Sequence, residues 1–239
     1  MDMVAISDEQ GLRDWLEGRP PATRQADGCA IAIRAALRVF PVWSGAMDDP
    51  WAREAGLTAL PVLRQLLTAG VAHGDPSPEM RAAAHAATSS ADAAFAPDAA
   101  FAAARAAAAA ADAAYHATAA FAVDRAADAA VADGVAPFAL MWERVSADAV
   151  SIREGADPFL APLWDGPGPD SFDGLDRKAR TIWSYDPVAW SFWLRWWDGA
   201  LAGQPLDWAL QRAVALIPDD LWRRGPAAVA EAIGGIEGG

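Results

Sequence analysis

The chain has 239 residues, with 32 acidic and 19 basic side chains, and therefore a formal net charge of −13. This length allows a substantial buried core, and a single cysteine excludes an intrachain disulfide framework. The acidic balance argues against a nucleic-acid partner, because phosphate binding requires a basic surface. No basic stretch followed by an apolar run opens the sequence, so no secretion signal is predicted and a cytoplasmic location is expected.

Residues 1–75 are predicted to form the first group of helices. Ser7 and Gln10 have the spacing of a capping box at the start of a short first helix. A second helix is predicted from Ala22, with its apolar residues on one stripe. It contains Cys29, which we interpret as a small buried hydrophobic residue. The helix is expected to end before Pro41, because proline breaks the hydrogen-bond pattern of a helix interior.

Proline positions predict the next two helix starts. Pro50 is expected at the first position of a third helix, with a kink or break at Pro61. In the turn that follows, Ser77 is a candidate helix cap and Pro78 a candidate first helical residue.

Residues 76–156 contain an alanine-rich centre: thirty-one of the 51 residues from Ala82 to Ala132 are alanine. Alanine has the highest helix propensity, and its small side chain allows helix axes to approach closely. Pro97 divides the stretch into one helix over residues 78–95 and another over residues 98–133. Gly134 is expected to end the second helix in the left-handed conformation. We therefore predict a long alanine-rich helix pair.

Part of this centre, residues 99–123, is apolar enough to raise the question of a membrane span. It contains Arg105, Asp112 and His116, and a charge at the centre of a span costs roughly 2.5 to 3.5 kcal/mol. No membrane partner is predicted.

Residues 157–239 form the third region, and the three regions are expected to make one continuous globular unit. The segment from Asp157 to Asp170 is too rich in proline and glycine for regular structure. Seven of the twelve tryptophans lie in the region from Trp183 to Trp222. No stretch of the chain alternates like a strand, so the predicted fold class is all-α. It is a helical bundle with a tryptophan-rich C-terminal helical subdomain.

The most apolar of the C-terminal helices is predicted around residues 190–197. Ser191, Arg195 and Asp198 form its only polar stripe, so the helix is expected to be nearly enclosed. Arg195 is expected to pair with Asp198 or Asp207, because an unpaired buried charge is costly.

The best candidate binding surface joins the Pro-Gly segment to the helix after it. There, acids and bases alternate beside tryptophan, as in pockets that hold sugars or cations by stacking and hydrogen bonding. The candidate binding residues, including two from the aromatic helix, are Trp164, Asp165, Asp173, Asp176, Arg177, Arg180, Arg195 and Trp196. The alternative interpretation is that Asp170 or Asp173 caps the helix, the bases are solvated and Trp164 fills the core.

No catalytic residue, metal site or cofactor is predicted. The sequence contains no nucleophile elbow and no glycine-rich phosphate loop. His73, His85 and His116 lack metal-ligand spacing, although His85 and His116 would meet if the alanine-rich helices paired antiparallel.

Several segments resemble an uncharacterised bacterial protein family, chiefly from alphaproteobacteria. They are WLEGRP at residues 15–20, AIAIRAALRV at 30–39, the alanine-rich middle, VSADA at 145–149, LW at 163–164, WLRWW at 193–197, Gly203, IPDDLW at 217–222 and GP at 225–226. The resemblance implies a shared helical fold and transfers no catalytic residue.

Two functional hypotheses follow from these features. The first is a non-enzymatic interaction or assembly protein that associates with itself or with a protein partner. It is motivated by the long alanine-rich helices and the aromatic helix. The alternative is a small-molecule binding protein or hydrolase that uses a Trp/Asp/Arg pocket around residues 164–198. A third possibility, an acidic immunity or antitoxin-like protein, rests on net charge alone.

Overall fold

A computed structural model of the chain describes residues 6–91, 105, 108–109, 119–132, 134 and 136–239. Within these residues it contains twelve α-helices, one 3-10 turn and no strand, so the all-α prediction is confirmed. The helices are α1 (Glu9–Glu17), α2 (Arg24–Ala46), α3 (Pro50–Glu54), α4 (Leu60–Gly74), α5 (Pro78–Ala91), α6 (Ala119–Ala132), α7 (Phe138–Arg153), α8 (Asp170–Trp183), α9 (Pro187–Ala202), α10 (Trp208–Ala215), α11 (Asp219–Arg223) and α12 (Pro226–Gly238), with the 3-10 turn at Pro158–Leu160.

Helix α2 is the centre of the bundle. Every residue from Asp27 to Gly45 is buried, and the helix packs against α4, α6, α7 and α8. The prediction of a single buried stripe is therefore wrong, because neighbours enclose this helix on all sides. By length and composition alone α2 could cross a membrane, but 94% of its most apolar window is buried inside the protein.

The predicted end of this helix before Pro41 is also wrong. Pro41 lies inside α2, which continues to Ala46. Proline inside a helix costs about 3 kcal/mol, and enclosure of the surrounding turns by other helices offsets this cost. The hydroxyl of Ser44 donates to the carbonyl oxygen of Phe40 at 3.3 Å in the same region.

The start of α1 differs from the predicted capping box. Asp8, not Ser7, is the N-cap, and its Oδ1 accepts a hydrogen bond from the amide of Gly11 at 2.8 Å. The side chain of Gln10 donates instead to Asp14. A carboxylate is a stronger acceptor than a hydroxyl, which favours the cap one residue later.

The predicted proline positions at other helix starts are largely confirmed. Pro50 begins α3, and Pro78 begins α5, where the hydroxyl of Ser77 accepts from the amide of Met80 at 3.3 Å. The break predicted at Pro61 lies slightly earlier, between α3 and α4, and Pro61 occupies the first turn of α4.

Two parts of the alanine-rich centre are described, α5 and α6. Pro97 and most of the predicted second helix lie outside the described residues. Helix α5 packs against α4, and α6 packs against α2. A Cβ atom on Gly28 of α2 would come within 2.8 Å of the Cβ of Ala119, so α6 and α2 approach as closely as their small side chains allow. Gly134 has the predicted positive φ, +63°.

Helix α9 has the predicted distribution of faces. Ser191, Arg195 and Asp198 are exposed, whereas the aromatic residues between Trp190 and Trp197 are buried. Trp190 stacks on Trp183 of α8 with ring centroids 5.7 Å apart. The tryptophan-rich helices thus supply the large side chains of the core, which a methyl-rich centre lacks.

Candidate functional site

The structure separates the candidate binding residues into several places. On α8, Asp173 and Arg177 are exposed. Asp176 accepts hydrogen bonds from Trp197 Nε1 at 2.6 Å and from Arg180 Nε at 2.7 Å. Arg180 also pairs with an exposed carboxylate of α9, that of Asp198. The four α8 candidates are therefore paired with one another or with α9, or are exposed, and none of them lines the cavity that Trp164 and Asp165 line.

The two candidates on α9 also have partners of their own. Arg195 pairs with Glu237 of α12, so the predicted partners Asp198 and Asp207 are wrong. Trp196 is buried and donates from Nε1 to the side chain of Gln211 at 2.9 Å. The α12 helix extends to Gly238, which places Glu237 beside α9.

Trp164 and Asp165 lead to a different site. Both line a cavity of about 250 Å³ between α2, α7 and the irregular segment after α7. Trp164 is 6% exposed and packs edge-on against Phe172 at 5.3 Å. Asp165 is almost fully exposed at the rim. Trp164 is therefore buried, as the alternative interpretation predicts. The cap predicted at Asp170 or Asp173 is wrong, because the N-cap of α8 is Pro169 and no side chain caps the helix.

The inner wall of this cavity is formed by two arginines one turn apart on α2. Arg34 and Arg38 are 3% and 1% exposed. Residues four apart lie on the same helix face, so both guanidinium groups reach the same region. We call the space lined by Arg34, Arg38, Arg144 and Trp164 the arginine cavity.

Both guanidinium groups hold the segment of residues 158–163 by its carbonyl oxygens. Arg34 Nη1 donates to Pro158 and Ala161 at 2.6 and 2.9 Å, and Nη2 donates to Pro162 at 2.8 Å. Arg38 Nε donates to Leu163 at 3.1 Å. This irregular segment has few helical hydrogen bonds of its own, and the arginines donate to its carbonyl groups. The carbonyl of Pro158 also accepts from the amide of Ala161 at 3.2 Å.

A single carboxylate, that of Asp148 on α7, balances the two arginines. Its Oδ1 accepts from Arg34 Nε at 2.9 Å and from Arg38 Nη2 at 3.2 Å, and its Oδ2 accepts from Arg38 Nη1 at 2.8 Å. Asp148 is itself 6% exposed. The buried group therefore contains two positive charges and one negative charge. Burial lowers the pKa of Arg34, as does the neighbouring Arg38, while Asp148 and Asp157 oppose this shift.

The polar groups left over in the wall are donors. The seven hydrogen bonds leave three of the ten guanidinium N–H groups of Arg34 and Arg38 without a described acceptor. The buried Nε1 of Trp164 and the buried Nε of Arg144 also have no partner among the described residues. A wall that offers positive charge and N–H groups is complementary to an oxyanion.

The rim of the cavity carries one arginine and two carboxylates. Arg144 lies near two exposed carboxylates, those of Glu143 and Asp165, with the Asp165 oxygen 3.7 Å away. Exposed pairs of this kind contribute little energy because water screens them. The excess positive charge therefore lies in the interior of the site rather than at its mouth.

Sequence reasoning missed Arg34, Arg38 and Asp148 as site residues, although all three lie in segments that carry the family resemblance. The available signal was two arginines four residues apart in an otherwise apolar stretch. Arginine is almost never fully buried unless it is paired, so this spacing predicts a buried carboxylate partner. It does not identify Asp148, which is more than 100 residues away in sequence.

Other candidate chemistry groups do not form a site in the described part of the chain. No cluster of three or more His, Cys, Asp or Glu residues that could hold a metal occurs there. Cys29 is buried as predicted, and burial raises the pKa of its thiol to about 12. The thiol therefore stays protonated and unreactive at neutral pH. His116 lies outside the described residues.

Comparisons with protein-family models, with curated proteins and with solved structures find no match to this chain. The resemblance to an alanine-rich alphaproteobacterial family stays a prediction.

Proposed function

We propose that this protein binds a small acid, either an organic carboxylate or a phosphate, in the arginine cavity. The observation that carries the proposal is the pairing of two almost fully buried guanidinium groups with a single buried carboxylate. A buried charge without a counter-charge is strongly unfavourable. A bound anion would supply the missing negative charge and would accept the remaining N–H groups.

A purely structural role for the two arginines accounts for only part of this arrangement. The hydrogen bonds to the carbonyl oxygens of residues 158–163 explain why arginine side chains extend from α2 to this segment. They do not explain the excess positive charge, because carbonyl oxygens are neutral. They also do not explain why the lining continues with Trp164 and Arg144, each of which has a buried N–H donor without a partner among the described residues.

The volume of the cavity limits the ligand to a small molecule. About 250 Å³ accommodates a carboxylate on a single ring or a phosphate group, but no folded partner. The indole of Trp164 lies beside Arg38, whose guanidinium carbon is 5.7 Å from the ring centroid. A planar acid would thus meet a charged group and an aromatic edge in the same space.

The proposed ligand is a small molecule, as in the alternative hypothesis from the sequence. The proposed binding residues lie mainly on α2 rather than among the charged residues of α8. The apolarity of α9, which motivated the interaction hypothesis, is matched by burial of its aromatic side chains inside the chain. Self-association and a protein partner remain predictions from sequence. No reaction is proposed, because the cavity contains no pairing of a nucleophile with a base.

The proposal is tested by calorimetric titration of the full chain with benzoate, inorganic phosphate and the neutral benzamide. Benzoate or phosphate is expected to bind, and benzamide is expected to bind at least about tenfold more weakly than the acid, because it lacks the negative charge. The two acids distinguish a carboxylate ligand from a phosphate ligand. Absence of binding by both acids up to about 10 mM, a range that covers weak affinities, would contradict the proposal.

Two variants assign the binding to the cavity. Trp164→Phe removes the Nε1 donor but keeps an aromatic ring, and Arg144→Gln removes a rim donor. Each is expected to weaken acid binding about tenfold, the typical effect of losing one hydrogen bond to a charged group. Arg153→Gln is the matched control, because Arg153 is an exposed residue of the same helix outside the cavity. If all three variants bind the acid equally, the site lies elsewhere.

A further inference from the structure

A second cavity lies on the other side of the same irregular segment. It has a volume of about 430 Å³ and is bounded by the end of α4, residues 157 and 159, and the start of α10. We call it the aromatic cavity and define it by His73, Asp157, Phe159, Trp208 and Arg212. The proposed acid site shares none of these residues.

Aromatic rings form its apolar wall. The ring of Phe159 contacts the rings of His73 and Trp208, with centroids 5.3 and 5.8 Å apart and planes inclined by 61° and 76°. Trp208 is 37% exposed, whereas most tryptophans of this chain are buried. The corner between Phe159 and Trp208 therefore presents aromatic surface to a molecule entering from solvent.

The charged groups of the cavity leave a net negative charge. Arg212 is occupied by two carboxylates, since its Nε binds Asp75 at 2.7 Å and its Nη2 binds Glu79 at 2.9 Å. The hydrogen bond from Arg212 lowers the pKa of Asp75, which stays ionised. Asp157 forms no salt bridge with any described residue. Its side chain accepts a hydrogen bond from the amide of Phe159 at 2.9 Å, and its charge also acts on Arg34.

His73 adds no positive charge at neutral pH. Its Nδ1 lies 3.1 Å from the carbonyl oxygen of Ala26, which can only accept, so this nitrogen carries the proton. Burial lowers the pKa of His73, although the hydrogen bond to Ala26 and the carboxylates of Asp157 and Asp27 oppose the shift. The ring is therefore neutral, and its other nitrogen is available as an acceptor.

We infer that the aromatic cavity binds a small aromatic cation, with its ring against Phe159 and Trp208 and its positive group near Asp157. Cations are attracted to the faces of aromatic rings, most strongly to tryptophan. The net charge of −13 adds a long-range field that draws cations and repels anions. The inference is independent of the acid site, because it rests on different residues and a different ligand charge.

The test uses three ligands of nearly the same shape: benzamidine, which is cationic, benzamide, which is neutral, and benzoate, which is anionic. The full chain is titrated with each by calorimetry. Benzamidine is expected to bind at the aromatic cavity, and benzamide is expected to bind at least about tenfold more weakly because it lacks the charge. Equal binding of benzamidine and benzamide would overturn the inference, as would no benzamidine binding at all.

Two substitutions locate the binding. Trp208→Ala removes the exposed wall and is expected to weaken benzamidine binding about tenfold. Asp157→Asn removes the charge but keeps an oxygen for the amide of Phe159, and about a two- to fivefold loss is expected, as for an ion pair near the surface. Asp186→Asn is the control, because Asp186 also caps a helix but lies outside the cavity.

Benzamidine affinity that is unchanged in both Trp208→Ala and Asp157→Asn would overturn the inference. Thermal melting of each variant, followed by circular dichroism, establishes that it is folded. The Asp157→Asn result remains informative if Trp208→Ala is unstable. Trp208→Ala is not expected to change benzoate binding, so failure of one cavity is distinguishable from failure of the other. Asp157→Asn removes a carboxylate that also acts on Arg34, so benzoate binding is expected to stay unchanged or to strengthen slightly in that variant.

Discussion

The two cavities lie on opposite sides of one irregular segment and have opposite character. On the side of α2, the wall contains buried guanidinium groups, and two of its residues, Trp164 and Arg144, have buried donors without a partner among the described residues. On the side of α4 and α10, aromatic rings and carboxylates form it. A protein with a net charge of −13 can therefore contain a site for an anion, because the local balance of buried charges outweighs the distant surface charge.

The segment contributes to both walls through neighbouring residues. The carbonyl oxygens of Pro158 and Ala161 accept from Arg34 on one side, while Asp157 and Phe159 line the cavity on the other. These residues lie in or beside the 3-10 turn at Pro158–Leu160, so consecutive residues of the turn contact different cavities.

Removing one carboxylate from each cavity is expected to give the largest contrast. Asp148→Asn leaves Arg34 and Arg38 without their buried counter-charge and should lower the free energy of unfolding by about 3 to 5 kcal/mol. Asp157→Asn should lower it by less than about 1 kcal/mol, because Asn is also a good helix cap. Urea unfolding followed by tryptophan fluorescence measures both. Similar losses in the two variants would show that leaving the buried charges of Arg34 and Arg38 without the carboxylate of Asp148 is not especially costly.

Salt should affect the two ligands in opposite directions. Raising the ionic strength from about 0.05 to about 0.5 M shortens the range of the surface field. We expect benzamidine binding to weaken a few-fold, because screening removes the attraction of the negative protein. Benzoate binding should stay constant or strengthen slightly, since screening removes a repulsion. Titrations at both ionic strengths measure this, and parallel weakening of both ligands would argue against a buried anion site.

Acid pH should destabilise the aromatic side through His73. Its pKa is lowered in the folded state relative to about 6.5 in the unfolded state, so the unfolded chain binds the proton first as the pH falls. The stability contribution of neutral His73 is therefore present above about pH 6.5 and is lost as the pH falls through the lower folded pKa. Between about pH 7.5 and about pH 5, the range in which histidine titrates, His73→Asn should lose less stability than the unsubstituted protein. Identical pH profiles for the two proteins would exclude His73 as the cause.

The smallest effect is expected for a surface ion pair outside both cavities. Arg195 on α9 pairs with Glu237 while about half of its side chain is exposed. Arg195→Gln should change the free energy of unfolding by less than about 1 kcal/mol and should leave benzoate and benzamidine affinities unchanged. A large effect on either affinity would mean that binding extends to the candidate residues of the C-terminal helices.

The buried face of α9 could be predicted from the sequence, whereas the burial and the length of α2 could not. On α9, one face is exposed to solvent and carries Ser191, Arg195 and Asp198. Helical periodicity therefore identifies the buried face of this helix correctly. On α2, enclosure on every side removes the periodic signal, and the same enclosure carries the helix past Pro41. Periodicity reports contact with water, so it cannot describe a helix that has none.

The candidate site was predictable only in part for a related reason. Of the eight candidate residues, Trp164 and Asp165 line the arginine cavity. The clustered charges of α8 are exposed or paired with near neighbours, because charged residues near each other in sequence are mostly solvated or paired locally. The decisive charges come from α2 and α7, whose contact depends on tertiary packing between distant parts of the chain.

The central claim, an acid bound beside the buried arginines, is tested most directly by the indole N–H signals in a proton–nitrogen NMR spectrum. The signal of Trp164 is assigned by its disappearance in Trp164→Phe, and that of Trp196, which donates to Gln211, serves as an internal reference. Addition of benzoate or phosphate is predicted to shift the Trp164 signal saturably and to leave the Trp196 signal in place. An unmoved Trp164 signal at acid concentrations that saturate binding would contradict the account.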